Sequence, residues 1–567
     1  MKTNIKRRNF LKNSLLATGG LLLAPNFISC IDDKIIVQPI PDNLEEKNFD
    51  QGVASFDPTN TQVIIWTRYV TQKPIATLLW QLAKDVDFKE IVRQSKVNTD
   101  ASRDYTVAIE IKDLEAGQKL YYRFINIADK TTSPTGETLT FEENINEVKL
   151  AVTSCANYAY GYFNVYEEIK KSNADVVVHL GDYIYEYGEN TYGSFRTPEP
   201  KGEIIALDEY RTRYKQYRSD EQLKELHRVK PFICVWDDHE VSNDTYKDGA
   251  QNHQENEGSF EIRKQNALKA YSEYLPNTTN LVDHSIIYRN LKIGSLVDLI
   301  MLDTRIIGRD KQLEYADFYN ASGTFDSAAF QQAWLNPERT LLGATQKTWL
   351  EGQLATSTGK WQVIGQQVLM GKMLMPAELL PILAKILAEV AATGSASAAT
   401  FSLFKTTLTE LVTIKSRVLQ SDPTLTQQEI ARVTTVLPYN LDAWDGYFME
   451  RERVFASFKN KNVIVLAGDT HNAWQSNLTD NSKTQVGVEI AASSVSSPGL
   501  EKYLGSSSAE LEQALQLLIN DLQYCNLSQR GFVKLTITQG SVISEWNYVD
   551  TVTNKLYTNS IGKTVTL

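Results

Sequence analysis

The sequence predicts an all-β sandwich followed by a larger α/β domain. With 567 residues, the chain is too long for one compact core. Residues 47–146 contain short alternating strands separated by turn residues, as in a fibronectin-like sandwich. From residue 147 to 567, apolar strands alternate with helical segments, which indicates an α/β core whose sheet is covered on both faces.

The composition excludes several classes of protein. Hydrophobic residues make up 42% of the chain and charged residues 22%, which argues against a disordered, collagenous or multi-pass membrane protein. The 69 acidic and 58 basic residues give a net charge of −11, so we expect no nucleic-acid partner bound through a broad basic surface. Four scattered cysteines are too few for a disulfide scaffold.

Residues 1–29 predict an export signal. The segment that starts at Arg7-Arg8 resembles a twin-arginine signal, and the apolar stretch after it is too short and too interrupted to span a bilayer. We therefore expect export by the twin-arginine machinery, by which proteins cross the membrane already folded and often with a cofactor bound. A disordered basic N-terminus is the alternative.

Residues 30–46 predict a polar tether. Phe27-Ile28-Ser29-Cys30 resembles a bacterial lipobox, with phenylalanine where leucine is usual. A lipid on Cys30 would anchor the protein to a membrane, in the periplasm or on the cell surface. The alternative is cleavage nearby and a free Cys30.

Residues 373–435 interrupt the α/β pattern. Apolar and Ala/Ser-rich segments there have helical character, while Glu378, Lys385 and Glu389 argue against a transmembrane span. We expect a helical insertion that either packs as a hairpin on the flank of the domain or forms a mobile lid.

Polar residues collect directly after five of the predicted strands. These strands are 148–154, 174–180, 232–236, 293–302 and 463–467. The segments that follow them are Cys155, Gly181-Asp182-Tyr183-Ile184-Tyr185, Asp237-Asp238-His239-Glu240 with Asn243 beyond, Asp303-Thr304-Arg305, and Gly468-Asp469-Thr470-His471. The carboxyl ends of strands are where open α/β sheets bind ligands. So many carboxylates would repel one another unless cations lay between them, so the pattern predicts a metal site.

These blocks resemble, in order, those of the PhoD-type alkaline phosphatases, a family of metallophosphoesterase-like enzymes. The resemblance is carried by Gly52–Pro58, Ile65–Arg68, Thr153–Cys155, Tyr160–Phe163, His179–Tyr187, Trp236–Glu240, Leu302–Arg305, Trp444–Tyr447, Gly468–His471 and Ser494–Gly499. It implies an N-terminal sandwich followed by a four-layer (α-β-β-α) catalytic domain.

The resemblance also implies a ferric ion and one or two calcium ions. The iron would be held by Cys155, Asp182, Tyr185 and His471, since thiolate and tyrosinate suit iron. Asp182 would bridge to calcium, which prefers oxygen ligands and would be bound by Asp238, Asn243 and Asp469.

Three further residues are candidates for catalysis. His239 would stabilise the transition state or protonate the leaving group; a hydrogen bond to an aspartate is its alternative role. Arg305 would grip a phosphate oxygen, with Asp303 orienting it, although a structural salt bridge would also explain that pair.

The expected function is hydrolysis of phosphate monoesters at alkaline pH by a metal-activated water or hydroxide, with release of inorganic phosphate. The alternative within the same chemistry is a phosphodiesterase or phospholipase D-like hydrolase, which a lipid tether and an apolar insertion would suit. A surface binding protein with an inactive site and an adhesive lipoprotein that uses the sandwich are alternatives from other classes.

Overall fold

A computed structural model describes residues 39–504 and 508–567. The predicted signal peptide and Cys30 lie outside the described residues, and residues 43–567 group as one structural unit. Strands and helices alternate along most of this unit. None of the helices in the described ranges is long and apolar enough to cross a membrane.

The strands are mostly short and are numbered in chain order over the described residues. They are β1 (Glu45–Glu46), β2 (Val53–Phe56), β3 (Val63–Arg68), β4 (Ile75–Ala83), β5 (Ile91–Asp100), β6 (Thr106–Ile111), β7 (Lys119–Asn126), β8 (Thr131–Thr132), β9 (Gly136–Leu139), β10 (Glu147–Thr153), β11 (Val176–His179), β12 (Phe232–Cys234), β13 (Arg289–Ile293), β14 (Val297–Met301), β15 (Trp361–Gly365), β16 (Leu374–Pro376), β17 (Val436–Pro438), β18 (Val463–Ala467), β19 (Ala473–Thr479), β20 (Gln485–Ala491), β21 (Leu522–Asn526), β22 (Arg530–Thr538), β23 (Val542–Val549) and β24 (Asn559–Thr566).

The α-helices of the same ranges are numbered likewise. They are α1 (Asn164–Lys171), α2 (Leu207–Ser219), α3 (Glu221–Val229), α4 (Phe260–Tyr274), α5 (Ser327–Trp334), α6 (Gly343–Thr356), α7 (Leu380–Thr393), α8 (Ala398–Leu419), α9 (Gln427–Thr434), α10 (Phe448–Phe458), α11 (Glu501–Leu504) and α12 (Ser508–Leu518).

Two large sheets pack face to face and carry helices on their outer faces. One has nine strands in the order β24-β23-β22-β10-β11-β12-β2-β3-β6, and the other has seven in the order β13-β14-β15-β18-β20-β19-β21. Alternation along β18 shows the layering: Ile464 and Leu466 belong to the core shared with the nine-stranded sheet, whereas Val463 and Val465 pack with helices α6 and α10. This is the α-β-β-α arrangement that the resemblance implies.

The N-terminal strands are divided between two sheets. Strands β1, β8, β7, β4 and β5, with β9 paired to β7, form a six-stranded sheet that encloses a separate apolar core against β2, β3 and β6. Strand β2 in turn pairs with β12 through Phe56 and Phe232, so one face of the sandwich continues the nine-stranded sheet across the predicted boundary near residue 147. A buried pair of hydrogen bonds from Arg289 to Asp57, 2.6 and 2.7 Å long, reinforces this junction.

The predicted insertion is helical and has a defined base. Strands β16 and β17 pair antiparallel, and helices α7, α8 and α9 lie between them in the chain. Their inner faces pack onto the core that covers the seven-stranded sheet. The segment therefore leaves the fold and returns to it at neighbouring positions.

One predicted strand begins too early. Of residues 293–302, Val297–Met301 form the strand β14, whereas the chain turns at Gly294 and Ile293 belongs to the antiparallel partner β13. Gly294 has φ of +54°, and a Cβ there would lie 2.7 Å from the carbonyl oxygens of Glu142 and Glu143. The apolar character of residues 296–302 masks this turn in the sequence.

Candidate metal centre

Both large sheets contribute side chains to one polar cluster at the carboxyl ends of their strands. Cys155, Asp182 and Asp238 follow β10, β11 and β12 of the nine-stranded sheet, and Arg305 and Asp469 follow β14 and β18 of the seven-stranded sheet. All five side chains lie in the interior or close to it. The convergence of strand ends that the sequence predicts is therefore present.

The residues predicted to hold iron lie together. Ligand atoms of Cys155, Asp182 and His471 are all within 4.8 Å of one another. The Tyr185 hydroxyl donates to Asp182 Oδ2 over 2.9 Å and lies 3.2 Å from His471 Nε2. His471 Nδ1 lies 2.7 Å from the carbonyl oxygen of Pro498, and a proton placed on Nδ1 by that contact leaves Nε2 available as a ligand.

A second group of potential ligands adjoins the first. Asp182, Asp238 and His239 offer atoms within 4.8 Å of one another, as do Asp237, Asp238 and Asp469. Asp182 belongs to the iron-type group and also to the carboxylate group, which is the position expected of a bridging ligand. The side-chain nitrogen of Asn243 donates to Gln251 over 3.0 Å, which leaves its amide oxygen as the potential ligand atom.

Four of the predicted ligands have left-handed backbone conformations. Cys155, Asp182, Asp469 and His471 have φ between +52° and +63°. Such a conformation costs about 1–3 kcal/mol for a residue other than glycine and persists where the surroundings impose it. Strain at four positions in two adjoining ligand groups indicates that ligand placement, rather than local propensity, determines these turns.

The carboxylates in this cluster are poorly solvated. Burial raises the pKa of Asp182, His239 lowers it and Asp238 raises it, and the result is a pKa of about 6. Burial also holds the pKa of Asp237 and Asp469 well above the usual range. At Asp238, burial is outweighed by Arg305 and His239, which lower the pKa to about 2. A bound cation would stabilise the ionised form of all of these groups.

Arg305 lies at the centre of the acidic cluster and is fully buried. Its guanidinium donates to Asp237 over 2.5 Å, to both oxygens of Asp442 over 2.8 and 2.9 Å, and to Asp469 over 2.7 Å. Three aspartates other than Asp303 therefore accept hydrogen bonds from Arg305, and a fourth, Asp238, lies 3.9 Å from its guanidinium. Arg305 already donates hydrogen bonds to carboxylates. It can therefore bind a substrate phosphate, as predicted, only if it gives up a bond to one of these carboxylates.

Asp303 has a different position from the one expected. Its carboxylate accepts from the backbone N–H groups of Arg305, Ile306 and Ile307 over 2.8 to 3.2 Å. It therefore orients the backbone of Arg305, and the expectation that it orients the guanidinium is corrected. The turn after β14 places the arginine, and Asp303 stabilises that turn.

His239 is held by a buried glutamate that the sequence reasoning missed. His239 Nδ1 lies 2.6 Å from Glu186 Oε2, and the other oxygen of Glu186 accepts from the backbone of Asn243 and the side chain of Asn252. Burial opposes a charged imidazole, but Glu186 and Asp238 outweigh it and raise the pKa of His239 well above its usual value. The predicted hydrogen bond to an aspartate is thus a bond to Glu186.

Two more acidic residues of the site were also missed. Asp442 binds both Arg305 and Arg309, and the backbone N–H of Asp244 donates to Asp238 over 2.6 Å. Burial and the charge of Asp442 raise the pKa of Asp244 to about 7. Asp442 precedes the Trp444–Tyr447 block but follows no apolar strand, so only that block could have drawn attention to it.

The donor set fits the metals that the resemblance implies. Asp182 Oδ1 and Asp237 Oδ2 are buried and have no hydrogen-bond partner among the described residues. Unpartnered buried carboxylate oxygens are costly unless they bind a cation. A thiol, a phenol and an imidazole beside one carboxylate suit iron, and the oxygen-only group next to it suits calcium.

Comparison with known proteins agrees with this geometry. A family model described as "PhoD-like phosphatase" matches residues 150–546, and its N-terminal domain model matches residues 36–142. Alkaline phosphatase D of Bacillus subtilis is 32% identical over 521 residues, which cover 88% of this chain and 76% of the relative.

Solved structures give the same result for the fold. A structure of PhoD has a TM-score of 0.72 at 30% identity and covers 93% of this chain and 91% of its own. A purple acid phosphatase from yellow lupin has a TM-score of 0.50 at 10% identity, covers 87% of this chain and 71% of its own, and shares the fold alone. The chain belongs to the PhoD-like phosphatase family.

Proposed function

We propose that the protein is a metal-dependent phosphatase that hydrolyses phosphate monoesters at alkaline pH and releases inorganic phosphate. The observation that carries the proposal is the position of Asp182, which is shared by a group of mixed ligands and a group of carboxylates. Two cations held side by side form a clamp suited to phosphoryl oxygens. Membership of the family supports the same activity.

The metals proposed are one ferric ion and one or two calcium ions. Iron would be held by Cys155, Asp182, Tyr185 and His471, and calcium by Asp182, Asp238 and Asp469. Asn243 would join the calcium ligands through its amide oxygen, since its bond to Gln251 uses the amide nitrogen. Bound cations would supply Lewis acidity, which neutralises charge on phosphate oxygens and makes water a better nucleophile.

The protein's own groups position the remaining charges. Glu186 fixes the tautomer and orientation of His239, whose other ring nitrogen can donate a proton to a leaving oxygen. Arg305 supplies a buried positive charge beside Asp469, where it can bind a phosphate oxygen. The buried hydroxyl of Tyr185 is positioned by that of Ser497, 2.6 Å away.

Hydrolysis of two chromogenic esters tests the proposal. p-Nitrophenyl phosphate and bis-p-nitrophenyl phosphate are compared from about pH 6 to about pH 10, with the protein as purified, after chelation, and after iron and calcium are restored. We expect monoester activity that disappears on chelation and returns only with both metals. Metal-independent activity, or activity on neither ester with both metals bound, would overturn the proposal.

A second candidate, hydrolysis of phosphodiesters or phospholipids, is favoured by one observation. The insertion and the C-terminal helices pack around an apolar cavity of about 20 Å³, lined by residues that include Met373, Phe404, Tyr439, Trp474, Leu500 and Leu515. The cavity has room for about one water molecule, so a lipid chain would have to open it. The indole of Trp474, one of its lining residues, donates to Thr470, the residue between Asp469 and His471. Faster hydrolysis of the diester than of the monoester would favour this candidate.

We further propose export by the twin-arginine route and a lipid on Cys30, which would leave the protein in the periplasm or at the cell surface. The Arg7-Arg8 motif and the lipobox-like sequence support this. Metabolic labelling with a fatty acid tests it. Label that is lost in Cys30→Ala supports the anchor, and label that persists contradicts it.

A further inference from the structure

The metal centre opens to solvent on one side. The side chains of His471, Asp469 and Asp442 are 13%, 17% and 18% exposed, whereas those of Asp182 and Asp238 are 2% and 5% exposed. A substrate therefore approaches across the residues of the seven-stranded sheet. Whatever part of the substrate projects from the site must pass the surface next to His471.

A lysine on a platform of tyrosines lies beside this opening. The ammonium of Lys502, in α11, is 4.9 Å from the ring centre of Tyr192, 5.8 Å from that of Tyr160 and 5.9 Å from that of Tyr503. Tyr192 also reaches the site, since its hydroxyl lies 3.4 Å from His471 Nδ1. Aromatic faces attract a cation, so the three tyrosine rings hold the Lys502 ammonium in place. One of these rings, Tyr192, also contacts His471, a predicted metal ligand.

Lys502 has no carboxylate partner among the described residues, unlike the arginines around it. Arg305 and Arg309 bind Asp442, and Arg530 binds Glu501, the neighbour of Lys502. Lysine presents a compact charge on a flexible stem, which is suited to an anionic group of variable position. In a protein of net charge −11, an unpaired cation at the mouth of the site attracts anions locally.

We propose that Lys502, on the platform of Tyr160, Tyr192 and Tyr503, binds a second phosphate group on the leaving-group side of the substrate. The proposal rests on the proposed phosphatase function and narrows its substrates to phosphate esters that carry a further phosphate. The ring centres of Tyr192 and His471 are 6.4 Å apart and the Lys502 ammonium is 4.9 Å from the Tyr192 ring centre, so Tyr192 lies next to both the metal centre and the proposed second phosphate site.

Two matched esters test this proposal on the protein purified with its metals. Butyl phosphate and butane-1,4-diol bisphosphate differ only in the second phosphate, and each is assayed near pH 7 because burial lowers the pKa of Lys502. In Lys502→Gln we expect kcat/KM for the bisphosphate to fall about tenfold through KM, with butyl phosphate changed less than about twofold. An equal change for both esters, or none, would overturn the proposal.

Lys563→Gln is the control. Lys563 is exposed and lies 5.8 Å above the ring centre of Tyr524, outside the metal centre, so its loss removes a comparable cation–π contact. We expect it to leave both esters unaffected. If it lowers activity on the bisphosphate as much as Lys502→Gln does, general surface charge explains the effect and the proposal fails.

Binding separates failure of the subsite from failure of the proposed function. If the native protein with both metals bound hydrolyses neither p-nitrophenyl phosphate nor butyl phosphate, the phosphatase proposal fails, but calorimetric titration with butylphosphonate and butane-1,4-diphosphonate still tests Lys502. Tighter binding of the diphosphonate that is lost in Lys502→Gln supports the subsite. Equal affinities in the native protein contradict it.

Discussion

The metal-centre side chains that follow the nine-stranded sheet are closed to solvent, whereas those that follow β18 of the seven-stranded sheet are partly open. Cys155, Asp182 and Asp238 are enclosed by core residues and by the turns that bear them, while Asp469 and His471 border the mouth of the site. We call the three enclosed residues the closed half of the site and the two residues at its mouth the open half. Enclosure gives the closed half the rigidity that a fixed ligand geometry requires, and exposure gives the open half the access that a substrate requires. Asp182 links the two halves, because it lies within ligand distance of His471 as well as of Asp238.

Substitution of Asp182, the residue that belongs to both ligand groups, should have the largest effect on metal content and activity. In Asp182→Asn we expect both metals to be lost and kcat/KM to fall by about a thousandfold or more, since the shared ligand loses its charge. Metal analysis and hydrolysis of p-nitrophenyl phosphate measure this. Asp317→Asn, an exposed aspartate, is the control. Retention of full calcium with loss of iron alone would show that Asp182 is not shared by the two metals.

Within the closed half, Cys155→Ser should remove iron selectively. A serine hydroxyl is a poorer ligand for iron than a thiolate, so we expect lower iron content, unchanged calcium and a fall in activity on the order of a hundredfold. The visible absorption that a tyrosinate–iron site would show reports the same loss. Cys525→Ser, at a buried thiol outside the site, should leave iron unchanged. Iron retained in full in Cys155→Ser would exclude the thiolate as a ligand.

Weakening the contact between Glu186 and His239, which also lies in the enclosed part of the site, should have a smaller effect on activity. Glu186→Gln keeps the size of the side chain but weakens its hold on the imidazole, so we expect kcat to fall about tenfold with KM and metal content unchanged. Glu189→Gln, an exposed neighbour, should have no effect. A loss of metal in Glu186→Gln would instead make Glu186 a ligand.

The seven-stranded half carries a smaller, pH-dependent contribution to stability. Glu489 on β20 accepts from the backbone N–H groups of Met370 and Gly371, and burial raises its pKa from 4.5 to about 7. Between these values the folded protein keeps a proton that the unfolded chain releases, so the free energy of unfolding falls as pH rises through this window, by about 1 kcal/mol per unit.

Denaturation across that pH window measures the contribution of Glu489. Glu489→Gln should flatten the dependence of stability on pH, since glutamine does not titrate. Glu90→Gln, at an exposed position, should preserve the slope of the native protein. A slope that is the same in Glu489→Gln and the native protein would contradict the assignment.

The sequence located most ligands of the metal centre but few of their partners. Asp182, Asp238 and Asp469 each follow an apolar strand, and this local pattern is readable because strand ends share one edge of a sheet. Glu186 acts on His239, 53 positions away, and Asp442 follows no predicted strand. Such contacts depend on how distant segments pack, which no local pattern records.

In the fold, too, features set by a local pattern were predictable, whereas features set by contacts between distant segments were not. Strand 463–467 was predicted to the residue, because five apolar residues are bounded by polar ones. The turn at Gly294 was missed because the reason for it is the approach of another backbone. The continuation of the nine-stranded sheet into the N-terminal region depends on one paired position, Phe56 with Phe232, which periodicity does not show.

The order of the nine-stranded sheet has a consequence for how the chain folds during synthesis. Strand β10 pairs on one side with β11, which follows it closely, and on the other with β22, where Glu147 is opposite Thr538. Pairings between such distant segments form slowly, and until β22 emerges from the ribosome one edge of β10 has no strand to bind. An exposed edge strand associates readily with other chains, so the nascent protein needs protection there until its last strands are made.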